Sequence, residues 1–234
     1  ATTVVGETWG RSDLLNITAQ GDTVTTANNQ SFGYSPANRL NSASGPYGSK
    51  SWTYDGVGNR ASETNAGVLD TYNYPTTSNR LQSVTRVGVT PSPRGFTYDG
   101  AGNIATDVRS GVSYAYTYNN ANRLKTVSQS GNLLGTYTYN GFEQLIARVI
   151  TNSGTANGTV YTVHDVFGNV IAELDGTGSS VREYIWLPES EIAPTRGSRT
   201  TVDRPLAVVS NVNVSPALLM VHVDQLNRPV KMTN

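Results

Sequence analysis

The feature that most constrains this chain is a phrase it repeats about every 20 residues. An aromatic residue, one other residue and a tyrosine lead into a short polar turn. One form reads "WTYDGVGNR" at Tyr54 and "FTYDGAGNI" at Tyr98. The other reads "FGYSPANRL" at Tyr34, "YNYPTTSNRL" at Tyr74 and "YTYNNANRL" at Tyr118. Weaker copies stand at Tyr139, at His164 and, as "YIW", at Tyr184. Successive anchors are 20, 20, 24, 20, 21, 25 and 20 residues apart, and the two forms alternate over the first five. A unit of that length holds two short strands and two turns. It cannot bury a face alone, so neighbouring copies must stack.

Within each unit the side chains alternate. Trp52 and Tyr54, Tyr72 and Tyr74, Phe96 and Tyr98, Tyr114, Tyr116 and Tyr118, and Tyr137 and Tyr139 fall on one face of a strand. Small residues such as Ala115 and Thr117 fall on the other. After the anchors come Asp55-Gly56, Asp99-Gly100 and Asn140-Gly141, dipeptides that predict tight hairpin turns. Gly58, Gly102 and Gly168 add positive-φ freedom, and the asparagines that follow, Asn59 and Asn103 among them, tolerate it. No segment carries a helical apolar stripe. The fold class is all-β: an antiparallel strip of repeated hairpins, in which each aromatic meets its counterpart on the next hairpin for about 0.2–1 kcal/mol per pair. Asn38, Arg39 and Leu40, then Asn79, Arg80 and Leu81, then Asn122, Arg123 and Leu124 close the second form. The arginines are placed to stack on tyrosine rings or to bond their hydroxyls, and the leucines to open the buried run of the returning strand.

At 234 residues the chain is long enough to bury a core. Its 17 basic residues balance 17 acidic ones, so no global field draws it to nucleic acid or an anionic membrane. It lacks cysteine, which excludes thiol catalysis, thiolate metal sites and disulfides. No apolar run approaches the roughly 20 residues of a membrane-spanning helix. The start, "ATTVVGETWG", has no basic or apolar leader pattern and reads as the edge of a fragment or mature chain.

The combination of Y-D-x-x-G-N with an interleaved Y-x-x-x-x-N-R-L resembles the YD repeats of the rearrangement hot spot (RHS) family. That family includes bacterial polymorphic toxins, shell-forming components of insecticidal toxin complexes, wall-associated bacterial proteins and the animal teneurins. The likeness covers residues 31–187 well, and residues 9–30 read as a worn copy. Residues 1–187 are therefore taken as a YD-repeat strip. Residues 188–234, with five of the ten prolines, are taken as the end segment of an RHS core, with a mobile loop at about 195–205 and a final hairpin in "VHVDQLNRPVKMT".

The resemblance implies a β-strip that curves into part of a hollow shell around a C-terminal effector in the same longer chain. It implies a secreted or cell-surface bacterial protein, with the remainder of the shell and the effector as partners. In the toxin branch the effector is cut free at a D-P-x-G-L-type motif. This sequence has none, so no catalytic residue is assigned and no enzyme activity is expected. About 20 strands at roughly 4.8 Å make a strip on the order of 100 Å long. Enclosing a 100-residue effector takes about 145 Å of wall. The expectation is a fragment of a longer shell, or edges paired with another chain.

Other chemistry is weak. His164 with Asp165, and His222 with Asp224, lack a third ligand at metal spacing and read as turn residues of degenerate repeats. Glu189 and Glu191 share one element, unlike a glycosidase pair. Asp55, Asp99 and Asp165 offer one carboxylate per loop, too few for calcium. No cofactor is implied. One alternative uses the aromatic face (Trp52, Tyr72, Tyr74, Tyr114, Tyr116, Tyr118, Tyr137, Tyr139): turned outward, it would make a surface adhesion module that binds glycan or protein. Alternation alone does not say which face is outside, and packing is the favoured reading.

Overall fold

The alternation yields strands almost exclusively. A computed structural model describes residues 6–86, 94–151, 157–187, 203–224 and 227–234. Among them are twenty strands and a single 3-10 turn at Thr26–Asn28. The predicted loop at 195–205 lies largely outside the described residues. The chain divides into two compact units, Ala1–Ala115 and Tyr116–Asn234.

The first unit holds β1 (Glu7–Arg11), β2 (Ile17–Asp22), β3 (Gln30–Tyr34), β4 (Leu40–Gly45), β5 (Gly48–Tyr54), β6 (Arg60–Asn65), β7 (Val68–Asn73), β8 (Ser83–Arg86), β9 (Arg94–Tyr98), β10 (Ile104–Arg109) and the start of β11 (Val112–Tyr118). Each pairs antiparallel with its neighbours in sequence. The second unit continues the pattern through β12 (Leu124–Gln129), β13 (Asn132–Tyr139), β14 (Leu145–Ile150), β15 (Gly158–His164), β16 (Val170–Asp175), β17 (Ser180–Leu187), β18 (Arg204–Ser210), β19 (Ala217–Val223) and β20 (Pro229–Thr233).

Two kinds of turn alternate, and they are not where Asp-Gly predicts them. The two-residue hairpin loops lie at the opposite strand ends, in Ala66-Gly67, Ser110-Gly111 and Ser130-Gly131, where both residues have positive φ. The Asp-Gly sites open five-residue turns instead. Asp55 N–H donates to the Asn59 carbonyl at 2.9 Å, and Gly58 N–H donates back to the Asp55 carbonyl at 3.2 Å. Positive φ falls on the fourth residue, at Gly58 (101°) and Gly102 (91°), and not on Gly56 or Gly100. The second form of the repeat makes the same turn: Ser35 N–H donates to the Arg39 carbonyl, with Asn38 at φ 57°. At Tyr34, Tyr54, Tyr98 and Tyr118 the two written forms therefore encode one turn, with Gly or Asn at its left-handed position; the copy at Tyr74, where Pro75 has no N–H to donate, closes through Ser78 N–H to the Pro75 carbonyl instead.

A register irregularity stands at the mouth of several of these turns, at Gly33/Tyr34, Thr53/Tyr54, Thr138/Tyr139, Val163/His164 and His222/Val223, and a similar one lies between β17 and β18 at Ile185/Trp186. Each places two residues of the returning strand against one anchor. The last two cases correct the sequence reading. The anchor near 184 is Trp186, and the one near 222 is Val223, so His222 lies within β19 rather than in the turn.

The expected core is largely missing. Among the described apolar residues only Ala43, Ala207 and Val208 are buried. Strands paired with their sequence neighbours cover each other's edges but not their faces, so most side chains stay half-exposed. Within each unit, stability draws on the ladders along the sheet.

Candidate functional site

The conspicuous repeat residues converge on the five-residue turns, and each does a definable task there. Asp55 Oδ1 accepts N–H bonds from Val57 (3.0 Å), Gly58 (2.7 Å) and Asn59 (2.8 Å), while Oδ2 accepts from Asn59 Nδ2 at 3.0 Å. Asp99 does the same with Ala101 and Asn103, and Asp165 with Phe167 and Asn169. Asp175, which sequence reading missed, clamps Thr177 and Ser179. Its Asp-x-x-Gly spacing was the available signal. These oxygens are occupied by N–H donors, which is why the loops read as turns rather than cation sites. Among the described residues no group of three His, Asp or Glu side chains is placed to hold a metal.

The clamps depress the carboxyl pKa values. At Asp99 the Asn103 side-chain amide is the main cause, aided by backbone N–H groups. At Asp55 and Asp165 burial pushes upward, and the Asn amide with the backbone donors outweighs it. A depressed carboxyl contributes stability that is fully present above its unfolded value near ~3.9 and is lost as pH falls through the folded value. The melting temperature should therefore hold from neutral pH to about pH 5 and fall steeply below about pH 4. A melting temperature that stays level down to about pH 3 would contradict the clamps' contribution.

The anchor tyrosines join one repeat to the one before. Tyr34 Oη donates to the Ile17 carbonyl at 2.8 Å, Tyr54 to Leu40 at 2.6 Å, Tyr74 to Arg60 at 3.1 Å and Tyr98 to Leu81 at 2.7 Å. Trp186 Nε1 does the same to Val170 at 2.7 Å. Tyr54→Phe should cost about 1 kcal/mol, because a half-buried carbonyl loses its donor. In thermal melts that is a drop of about 2–4 °C. An unchanged melt would contradict this role.

The Asn-Arg-Leu phrase reaches forward to the next turn. The Arg39 guanidinium lies 5.6 Å from the Tyr54 ring and donates to the Asp55 carbonyl at 3.2 Å. Arg80 lies 5.6 Å from Tyr98, and Arg123 pairs with Glu143. Each arginine thus serves the following repeat rather than its own tyrosine. Asn16 bonds Asn38 at 2.9 Å, and Asn59 bonds Asn79 at 3.1 Å, linking successive turns side by side. Leu40, Leu81 and Leu124 are half-buried.

The aromatic face is half-buried and, in the first unit, capped by cations. Arg60 lies 5.6 Å from Trp52 and 5.7 Å from Tyr72, Arg94 lies 4.9 Å from Phe96, and Arg109 lies 5.1 Å from Tyr114. Arg94 and Arg109 both clamp Asp107, which is 2% exposed, through N–O distances of 2.7–3.0 Å. Nothing in the sequence marks Asp107. It gains its role only when register sets it between Phe96 and Tyr114. Arg94 and Arg109, with Asp70, Tyr72 and Arg86, border a cavity of about 290 Å³. In the second unit, Tyr116, Tyr118, Tyr137 and Tyr139 are half-buried, with the exposed Thr117 and Thr138 between them. An apolar groove of about 570 Å³ runs past Tyr184, Trp186, Leu219 and Met232.

The histidines do not form a site. His164 ends β15 with Nδ1 buried and unpartnered, whereas His222 Nε2 lies 2.9 Å from Thr233 Oγ1 across to β20. Glu189 and Glu191 lie outside the described residues.

No protein-family model matches the chain, and no curated protein matches it. Solved structures of Tc toxin components share its fold. TcdB2-TccC3 without its hypervariable C-terminal region superposes with a TM-score of 0.51 at 15% identity, over 94% of this chain and 14% of that one. TcdB2-TccC3-TEV gives a TM-score of 0.50 at 14% identity, over 91% of this chain and 12% of that one. The chain therefore spans about an eighth of the length of the structures it resembles.

Proposed function

We propose that this chain is a non-catalytic scaffold, a length of RHS-type YD-repeat wall. In this reading it belongs to a shell that encloses and helps deliver an effector carried in the same longer polypeptide, in a secreted or cell-surface bacterial protein. One observation carries the reading: the repeat residues spend their chemistry on adjacent repeats. Tyrosine hydroxyls bond the strand behind, arginines cover the turn ahead, and aspartates saturate themselves on their own loops. Such residues build a continuous wall. The fold shared with Tc toxin components supports the same reading. Adhesion through the aromatic face has less support, because guanidinium groups already lie over several of its rings.

The test is the mass and terminal peptides of the native polypeptide that contains this sequence, with limited proteolysis of the intact particle. Continuation into further repeats and a protease-shielded terminal domain supports the proposal. A native polypeptide confined to these 234 residues refutes it.

A further inference from the structure

The cavity of about 290 Å³ in the first unit gathers guanidinium groups from three adjacent strands: Arg86 on β8, Arg94 on β9 and Arg109 on β10. Each is pinned by a carboxylate. Arg86 Nε and Nη2 donate to Asp70 at 2.7 and 3.0 Å, and Arg94 Nε and Nη2 donate to Asp107 at 3.0 and 2.9 Å. Arg109 Nε donates at 2.7 Å to the same Asp107 oxygen that Arg94 Nη2 uses. Two like charges are thus held side by side over one buried carboxylate. Three cations against two anions leave one positive charge, and all three arginine side chains are about half exposed. Leu81, Val84 and Tyr72 also line the cavity. The Tyr72 hydroxyl is bonded to Glu63 at 3.1 Å, so Tyr72 contributes chiefly its ring.

We infer that this cavity binds a small organic carboxylate, a monoanion with a short apolar body. A guanidinium fork matches a planar carboxylate in shape and in charge. Arg86 spends two of its five N–H groups on Asp70, which leaves donors for a second oxyanion. The arginines are already held by their aspartates, so binding orders few side chains. The volume lies at the small end of ligand sites, roughly 300–1,000 Å³, and suits a body of one ring or a short chain. Charge selects among anions. The excess is one unit, which a monoanion balances. A phosphate dianion would overshoot it and press its second charge on Asp70, itself part of the wall. It would also bury nothing against Leu81, Val84 and Tyr72. A neutral apolar molecule would desolvate guanidinium groups without pairing them.

Benzoate is the probe, titrated into the intact chain and followed by amide NMR shifts, with inorganic phosphate in a parallel titration. Benzoate should saturate with a Kd on the order of 1 mM and move amides of β8, β9 and β10. Phosphate should bind more weakly. Arg86→Gln should weaken benzoate binding about fivefold, through the lost cation. Asp70→Asn keeps the side-chain shape, removes a negative charge from the wall and should tighten binding about fivefold. Opposite responses from the two members of one ion pair cannot come from a general loss of structure, which would weaken both. Arg182→Gln, in the second unit, should leave binding unchanged. No saturable benzoate binding, phosphate binding as tight as benzoate, or weakening by both Arg86→Gln and Asp70→Asn would overturn the assignment.

Discussion

Asp107→Ala should destabilise the first unit by about 2–3 kcal/mol. Removing one member of a buried ion pair typically costs about 3–5 kcal/mol, because the remaining charge loses its partner. The lower figure applies here because the two arginine side chains are about half exposed, at 46% and 51%, and can rehydrate. The loss should be local. Arg94 and Arg109 would leave Phe96 and Tyr114, and hydrogen exchange should speed up in β9, β10 and β11 before other strands. Asp70→Ala breaks a more exposed pair with Arg86 and should cost about 1 kcal/mol or less. Urea denaturation distinguishes the two. Equal losses would mean that burial at Asp107 does not matter.

Gly102→Val should be the second most damaging change, and Gly56→Ala one of the mildest. Gly102 has φ 91°, which costs an L-residue about 1–2 kcal/mol, more for a β-branched one. A Cβ there would sit 2.9 Å from the Arg80 guanidinium, pushing it off Tyr98 and forfeiting about 0.5–1 kcal/mol of cation–π attraction. The sum is about 2–3 kcal/mol. Gly56 has no positive φ and no atom within 4 Å of its would-be Cβ, so alanine should change stability by less than about 0.5 kcal/mol. A two-residue Asp-Gly hairpin would give the reverse order. The pair of variants therefore decides between the predicted turn and the observed one.

That reversal shows what was legible in the sequence. Period and alternation were enough for all-β hairpins and for the sidedness of Trp52, Tyr54 and Thr53, because both depend only on local geometry. Asp-Gly misled because a dipeptide preference says nothing about which carbonyl the aspartate reaches. The clamp needs Asn59 four residues on, and the same five-residue frame holds Ser35 to Arg39. Arginine was foreseen on tyrosine rings, but on the repeat ahead only register could place it. Asp107, Arg60 and Arg94 were invisible for the same reason: their partners are strand neighbours distant in sequence. The missing core followed from counting length as burial, when strands that pair side by side cover only their edges.

In the proposed function these repeats are a stretch of wall around an effector carried in the same longer polypeptide. Single-particle cryo-electron microscopy of the native polypeptide tests it most directly. The expected result is strands β1 to β20 running consecutively in a chamber wall, flanked by further hairpins of the same register, with density of the enclosed effector inside. The same strands in a particle that encloses no polypeptide would contradict it.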